Sequence, residues 1–175
     1  MEQNIKKIFF LISVSLFLIS CGGKKVEKFV AASDCPDQVI KNFKTDRYEL
    51  DKITWSFSAD KCDVYEKKNN IDANNVIINF YENGKKSSVI SADRAHMQTD
   101  SGNIKAEGNV VVYSLLENTT IYTETLNYFE KTGKVTSNSF VREEKSDLTI
   151  TGVGLEANAD LSDILILSDI KVVKK

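Results

Sequence analysis

Apolar and polar residues begin to alternate at Ile53 and continue to do so towards the C-terminus. Ile53, Trp55 and Phe57 occupy every second position, and Ile78 and Phe80 do the same later. A period of two places one set of side chains on one face of a sheet. Valine, isoleucine, threonine and tyrosine recur, as pleated structure favours. Turn signals separate the runs at Glu82-Asn83-Gly84, Ser101-Gly102-Asn103 and Lys131-Thr132-Gly133. No proline follows Pro36, so no ladder loses a donor to one. The pattern predicts a long meander of antiparallel hairpins over residues 53–175.

The pattern also repeats. Ser58-Ala59-Asp60-Lys61 returns 33 residues later as Ser91-Ala92-Asp93-Arg94. A shift of 31 carries Ala95 to Leu126, Ile104 to Val135, Ala106 to Ser137 and Val110 to Val141. A further 29 carries Leu126 to Leu155, Val135 to Ile164 and Ser137 to Ile166. Four copies begin near Ser58, Ser91, Tyr122 and Thr151, each a strand, a turn and a second strand. One hairpin cannot bury its apolar face alone, so repeats of this length call for a shared core. Ala92, Ala95, Ile104, Ala106 and Val110 mark the inward face. Gly108-Asn109, inside a strand pattern, reads as a bulge or bend.

Upstream, the pattern changes. Lys6 and Lys7 precede a 13-residue apolar run, IFFLISVSLFLIS, which is short for a bilayer span of about 20 residues. It ends in Leu18-Ile19-Ser20-Cys21-Gly22, which looks like a lipobox. Residues 1–20 therefore read as a lipoprotein signal peptide, with Cys21 the acylated first residue. An ordinary signal peptide or a short membrane helix would leave Cys21 incidental. Residues 21–52 are charged and weakly periodic. They read as a tether, with a short helix from Pro36 that would put Val39, Ile40 and Phe43 on one face.

Charge and cysteine content narrow the picture. Removing residues 1–20 takes away Lys6, Lys7 and Glu2, leaving 21 basic and 24 acidic residues and a net charge near −3. That balance gives no footprint for nucleic acid. Cys35 and Cys62 form an even pair, as in an envelope compartment. Bonded, they would close a loop of about 28 residues and add on the order of 3 to 4 kcal/mol. Alternatively Cys62, aligned with Ala95 in the repeat, is a small buried apolar residue.

Catalytic chemistry is sparse. His96 is the only histidine, so no histidine triad or zinc cluster is at hand. It reads as a surface or rim residue. No phosphate loop, HExxH or GxSxG occurs. Asp60 and Asp93 pair at the same repeat position, which suits a turn or edge role better than acid–base work. The chain reads as a non-enzyme, with no cofactor and no metal. Its functional surfaces would be the space between sheet faces and the unpaired end strands.

Three pieces carry a family resemblance: Ala106-Glu107-Gly108-Asn109-Val110, Thr123-Glu124-Thr125-Leu126-Asn127-Tyr128, and Thr151-Gly152-Val153-Gly154-Leu155-Glu156. With WSFSAD and NFYENG before them, their order and spacing resemble the LptC family, a periplasmic component of the lipopolysaccharide export ABC transporter related to LptA/OstA-type domains. The resemblance covers roughly Ile53 to Val173. It implies an all-β, open antiparallel β-jelly-roll with lipid A acyl chains in an apolar groove. Trp55, Phe57, Ile78, Phe80, Ile104, Ala106, Val110, Val112, Leu126, Tyr128, Val135, Ile164 and Ile166 would line it. The N-terminal edge would join the inner-membrane transporter subunits. The C-terminal strand, with Ile164, Ile166, Ile170 and Val172, would join an LptA-like periplasmic protein. Typical members keep an uncleaved transmembrane helix, where this chain reads as lipid-anchored on the periplasmic face, at the inner membrane. Two other readings stay open: a lipoprotein scaffold that pairs edge strands without carrying lipid, and an anchored bridge protein of the LptA type. An alternating core and an alternating groove look the same in sequence.

Overall fold

The computed structural model describes residues 35–174. Nine strands form one sheet in sequence order, each antiparallel to the next. They are β1 (Gln38–Glu49), β2 (Lys52–Tyr65), β3 (Asn70–Glu82), β4 (Lys85–Gln98), β5 (Ile104–Ser114), β6 (Thr119–Phe129), β7 (Lys134–Glu144), β8 (Leu148–Asn158) and β9 (Ile164–Lys174). The helical content of the described residues is one 3-10 turn at Glu66–Lys68. The repeat is legible in three dimensions. Cys62, Ala95, Leu126 and Leu155 are equivalent buried positions on β2, β4, β6 and β8. Ala73, Ala106, Ser137 and Ile166 are their counterparts on β3, β5, β7 and β9.

A crease crosses the middle of the sheet. Along β2 the buried apolar residues run Trp55, Phe57, Ala59 and then Cys62. On β3 they run Ile71, Ala73 and then Val76, Ile78, Phe80; on β4, Ile90, Ala92 and then Ala95, Met97. At each change of parity one extra residue has been inserted, as in a β-bulge. Without it, half of each strand would turn its apolar side to water. With it, both halves bury the same face. In β5 the bend falls at Gly108 and Asn109, both with positive φ, and the register with β4 and β6 shifts there. The bend expected at this pair is therefore present.

Part of the stretch 21–52 expected as a tether is instead sheet. Gln38–Glu49 is strand β1, paired along its length with β2, and no helix follows Pro36. The cause is again the crease. Asn42 has a φ of 51°. The added residue lets Ile40 and Phe43, three apart, become partly buried on the same side, while Val39 is exposed. That spacing mimics one turn of helix. Phe43 meets the Phe57 ring edge-on at 6.1 Å between centroids. Cys21 and residues 22–34 lie outside the described residues.

Candidate functional site

One margin of the sheet carries the turns β1–β2, β3–β4, β5–β6 and β7–β8, and the other carries the remaining four. Bent at the crease, the sheet brings these margins together. Trp55 Nε1 donates to Glu130 Oε2 at 3.1 Å, and Arg47 Nε lies 3.0 Å from Glu130 Oε1. Phe80 and Tyr128 stack edge-to-face with centroids 4.8 Å apart. Ser88 Oγ donates to the carbonyl of Ala159, and Ser114 Oγ to that of Asp160 at 3.0 Å. Each of these contacts joins a strand end on one margin to a strand end or turn on the other. Together they make a seam.

Between crease and seam lies the apolar interior. Trp55, Phe57, Ile78, Phe80, Ile104, Ala106, Val110, Val112, Leu126, Tyr128, Val135 and Ile166 are all buried there in one cluster, with Ile164 half-buried against it. Residues far apart in sequence are thus brought to one continuous surface. A small polar set accompanies them: Ser88, Ser114, Thr119 and Ser137 are buried, and so is Glu143. Glu143 shares the buried parity of Val135 and Val141, and its Oε1 lies 3.0 Å from Lys145 Nζ. Burial, reinforced by Glu130 and Glu49, pushes the Tyr128 phenol up to about 12.

Cys35 and Cys62 do not form the disulfide considered from sequence; both are free thiols. Cys62 points into the interior beside Ala73, whereas Cys35 is exposed ahead of β1. Burial, helped by the Asp63 carboxylate, raises the Cys62 thiol to about 11. It therefore resists forming the reactive thiolate.

The repeated Ser-Ala-Asp phrase belongs to the crease, on its outer side. The unpaired positions Asn42, Asp60, Asn75 and Asp93 stand opposite one another on β1 to β4, and Asn109 continues the row on β5. Asn75 Nδ2 donates to Asp60 Oδ2 at 2.9 Å, and Asn109 Nδ2 to Asp93 Oδ2 at 2.8 Å. These carboxylates fasten a bend. His96 is partly exposed, with Nδ1 2.7 Å from Asp72 Oδ1 and Nε2 3.4 Å from Glu107 Oε2. A hydrogen bond from Lys105 lowers the Glu107 carboxyl. Among the described residues no group of His, Cys, Asp or Glu is arranged to hold a metal.

The two ends of the sheet are single-sided strands. β1 pairs with β2 alone and β9 with β8 alone. On β9, Ile166 turns inward, while Ile170 and Val172 are 55 % and 63 % exposed. The four residues expected together at this edge thus divide between interior and surface. Sequence reasoning missed Leu161, buried from within the β8–β9 turn, and the Trp55–Glu130–Arg47 bridge. The signal for Leu161 was a single large apolar residue within Asn158-Ala159-Asp160-Leu161-Ser162-Asp163. Nothing local marks Glu130.

A family profile described as "Lipopolysaccharide-assembly, LptC-related" matches residues 8–174. Among solved structures, the fold is similar to that of LptH from Pseudomonas aeruginosa, described as the LptA homologous periplasmic component of the conserved lipopolysaccharide transport device. The likeness has a TM-score of 0.56 at 12 % identity and covers 69 % of this chain and 94 % of that one. No curated protein sequence matches the chain.

Proposed function

The chain belongs to the LptC-related lipopolysaccharide-assembly family, a family of transport components of the periplasmic envelope, and we propose that it carries lipopolysaccharide across one step of that route. The acyl chains of lipid A travel along the apolar face between the half-sheets. The β1 edge receives cargo from an inner-membrane ABC transporter, and the β9 edge hands it to an LptA-like periplasmic protein. Cys21, acylated, holds the chain at the periplasmic face of the inner membrane.

The observation that supports this best is the combination of one continuous apolar face with a free strand at each end of the sheet. Each CH2 group taken out of water is worth about 0.8 kcal/mol, so an acyl chain crossing the periplasm needs unbroken apolar cover. A partner strand added to β1 or β9 would prolong both the sheet and its inner face. Cargo moves on only if successive sites bind alike, and a repeated lining of Ile, Val, Leu and Ala supplies that. Nucleotide hydrolysis belongs to the transporter.

The tight packing of the interior favours a second reading, in which the chain is a scaffold that pairs edge strands and carries no lipid. One experiment separates the two. A benzophenone amino acid replaces Ile104, which is buried, or in a separate strain Lys105, which is exposed. Ultraviolet adducts to lipopolysaccharide at 104 and not at 105, dependent on cellular energy, are expected for the carrier. Lipid at neither position, with protein adducts from β1 and β9 alone, would overturn it in favour of the scaffold.

A further inference from the structure

Among the described residues, Leu161 is the one bulky apolar side chain that reaches the interior from a turn rather than from a strand. It is 1 % exposed and belongs to the core cluster, yet its φ is +62°. That left-handed backbone is uncommon for a leucine, and the other instance among the described residues, Leu50 in the β1–β2 turn, is exposed where Leu161 is buried. The turn that carries it is internally complete. Leu161 N–H donates to the Asn158 carbonyl at 2.9 Å, and Asp160 Oδ1 accepts from the Ser162 amide at 3.0 Å and from its hydroxyl at 2.8 Å. Three hydrogen bonds tie this unit to other strands and turns: the Ala159 amide to the Gly133 carbonyl at 3.0 Å, and the hydroxyls of Ser88 and Ser114 to the carbonyls of Ala159 and Asp160. Both serines are fully buried and sit on the opposite margin of the sheet.

A cleft of about 390 Å³ adjoins this turn. Phe80 and Ser87 line it from one margin, and Tyr128, Gly133 and Ala159 from the other. It therefore lies on the seam, where Phe80 and Tyr128 stand between solvent and the apolar interior.

We propose that the β8–β9 turn is a plug: it seats Leu161 between the half-sheets, is latched by Ser88 and Ser114, and lifts to admit acyl chains through the adjoining cleft. The proposal rests on the carrier reading above and names its point of admission. Lifting exchanges one apolar side chain for another apolar occupant, so the interior stays dry throughout. It breaks two hydroxyl–carbonyl hydrogen bonds and one amide–carbonyl hydrogen bond while the turn keeps its own.

The test uses the full chain in the native envelope, with the benzophenone at position 104. Ser88→Ala/Ser114→Ala removes both latch donors and leaves the apolar lining intact. Leu161→Ala removes the plug itself. Asp93→Ala, at the crease, serves as a comparison that loosens the fold away from the seam. At equal abundance of the chain, adduct yield with lipopolysaccharide is expected to rise at least threefold for the latch and plug variants and to stay level for Asp93→Ala. Equal yields in all four chains, or an equal rise in Asp93→Ala, would overturn the plug while the carrier reading stands. No lipid adduct in any chain would remove the carrier reading, and the plug with it.

Discussion

Asn109 donates from Nδ2 to Asp93 Oδ2 at 2.8 Å, and 33 and 34 residues earlier Asp60 and Asn75 form the same bond at 2.9 Å. One residue of each pair is a left-handed asparagine, the other an aspartate on the neighbouring strand. The bond fixes the place where the sheet bends. Gly108, beside Asn109, has a φ of +77°, and a Cβ there would lie 2.7 Å from Asp93 Oδ2. Gly108→Ala is therefore expected to destabilise the domain by about 1 to 3 kcal/mol. Asp93→Ala should cost about 1 kcal/mol. Urea unfolding of the purified chain reads both, and a glycine variant as stable as the parent would contradict the account of the bend.

The two thiols should differ sharply in reactivity. Cys35 is exposed, whereas Cys62 is buried with its ionisation raised to about 11. At pH 8, maleimide is expected to label Cys35 within minutes and Cys62 only on global unfolding, at least a hundredfold more slowly. Mass spectrometry of alkylated peptides distinguishes them. A Cys35–Cys62 bridge in protein isolated from the envelope would refute the free-thiol arrangement.

Tyr128 makes the fold sensitive to alkali. Its phenol ionises near 10 when exposed and near 12 in the fold, so the folded state holds the proton more tightly. The stabilisation is complete below pH 10, falls as pH rises from 10 to 12, and is gone above that. It amounts to on the order of 2 kcal/mol. Tyr128→Phe should flatten this part of the stability profile, measured by denaturant midpoint against pH.

Glu130 ties the seam at its β1–β2 end. It accepts from the Trp55 indole and pairs with Arg47, and the Glu130 carboxylate is mostly buried. Glu130→Ala leaves the indole N–H without its partner and is expected to cost about 1 to 3 kcal/mol. Arg47→Ala, at the exposed end of the pair, should cost about 0 to 1 kcal/mol. Trp55 fluorescence should red-shift in the first variant and hold in the second.

At β9 the expectation concerns a partner instead of the fold. Ile170→Lys and Val172→Lys alter exposed positions, so stability should stay within about 0.5 kcal/mol. Charge on an edge strand opposes the addition of another. On the proposed hand-over at β9, capture of an LptA-like periplasmic protein should fall more than tenfold, read by pull-down against the parent chain. Undiminished capture would move the interface elsewhere.

The strands and their inward residues were legible because period two survives within each half-strand. The repeat was legible because equivalent hairpins face the same core. β1 was not, since the Asn42 bend turns the period-two signal of Ile40 and Phe43 into a helical spacing. The same substitution of three for two occurs at Ala59/Cys62 and Ala92/Ala95, where longer flanking runs carried the pattern through. The seam was hidden for a different reason. Trp55 and Glu130, 75 residues apart, meet only once the sheet has bent, and no local pattern announces such a pair.

The strictly sequential strand order bears on how the chain reaches this shape. Every ladder joins neighbours in sequence, so each hairpin can form soon after its second strand is made, and closure over short loops is fast. The contacts between Trp55 and Glu130 and between Ser88 and Ala159 span 75 and 71 residues, and they cannot form until β6 and the β8–β9 turn exist. A nascent domain therefore spends its early life as a growing, unclosed ribbon with its oily side uncovered. That is the stage most open to aggregation, and chaperone protection would matter most there.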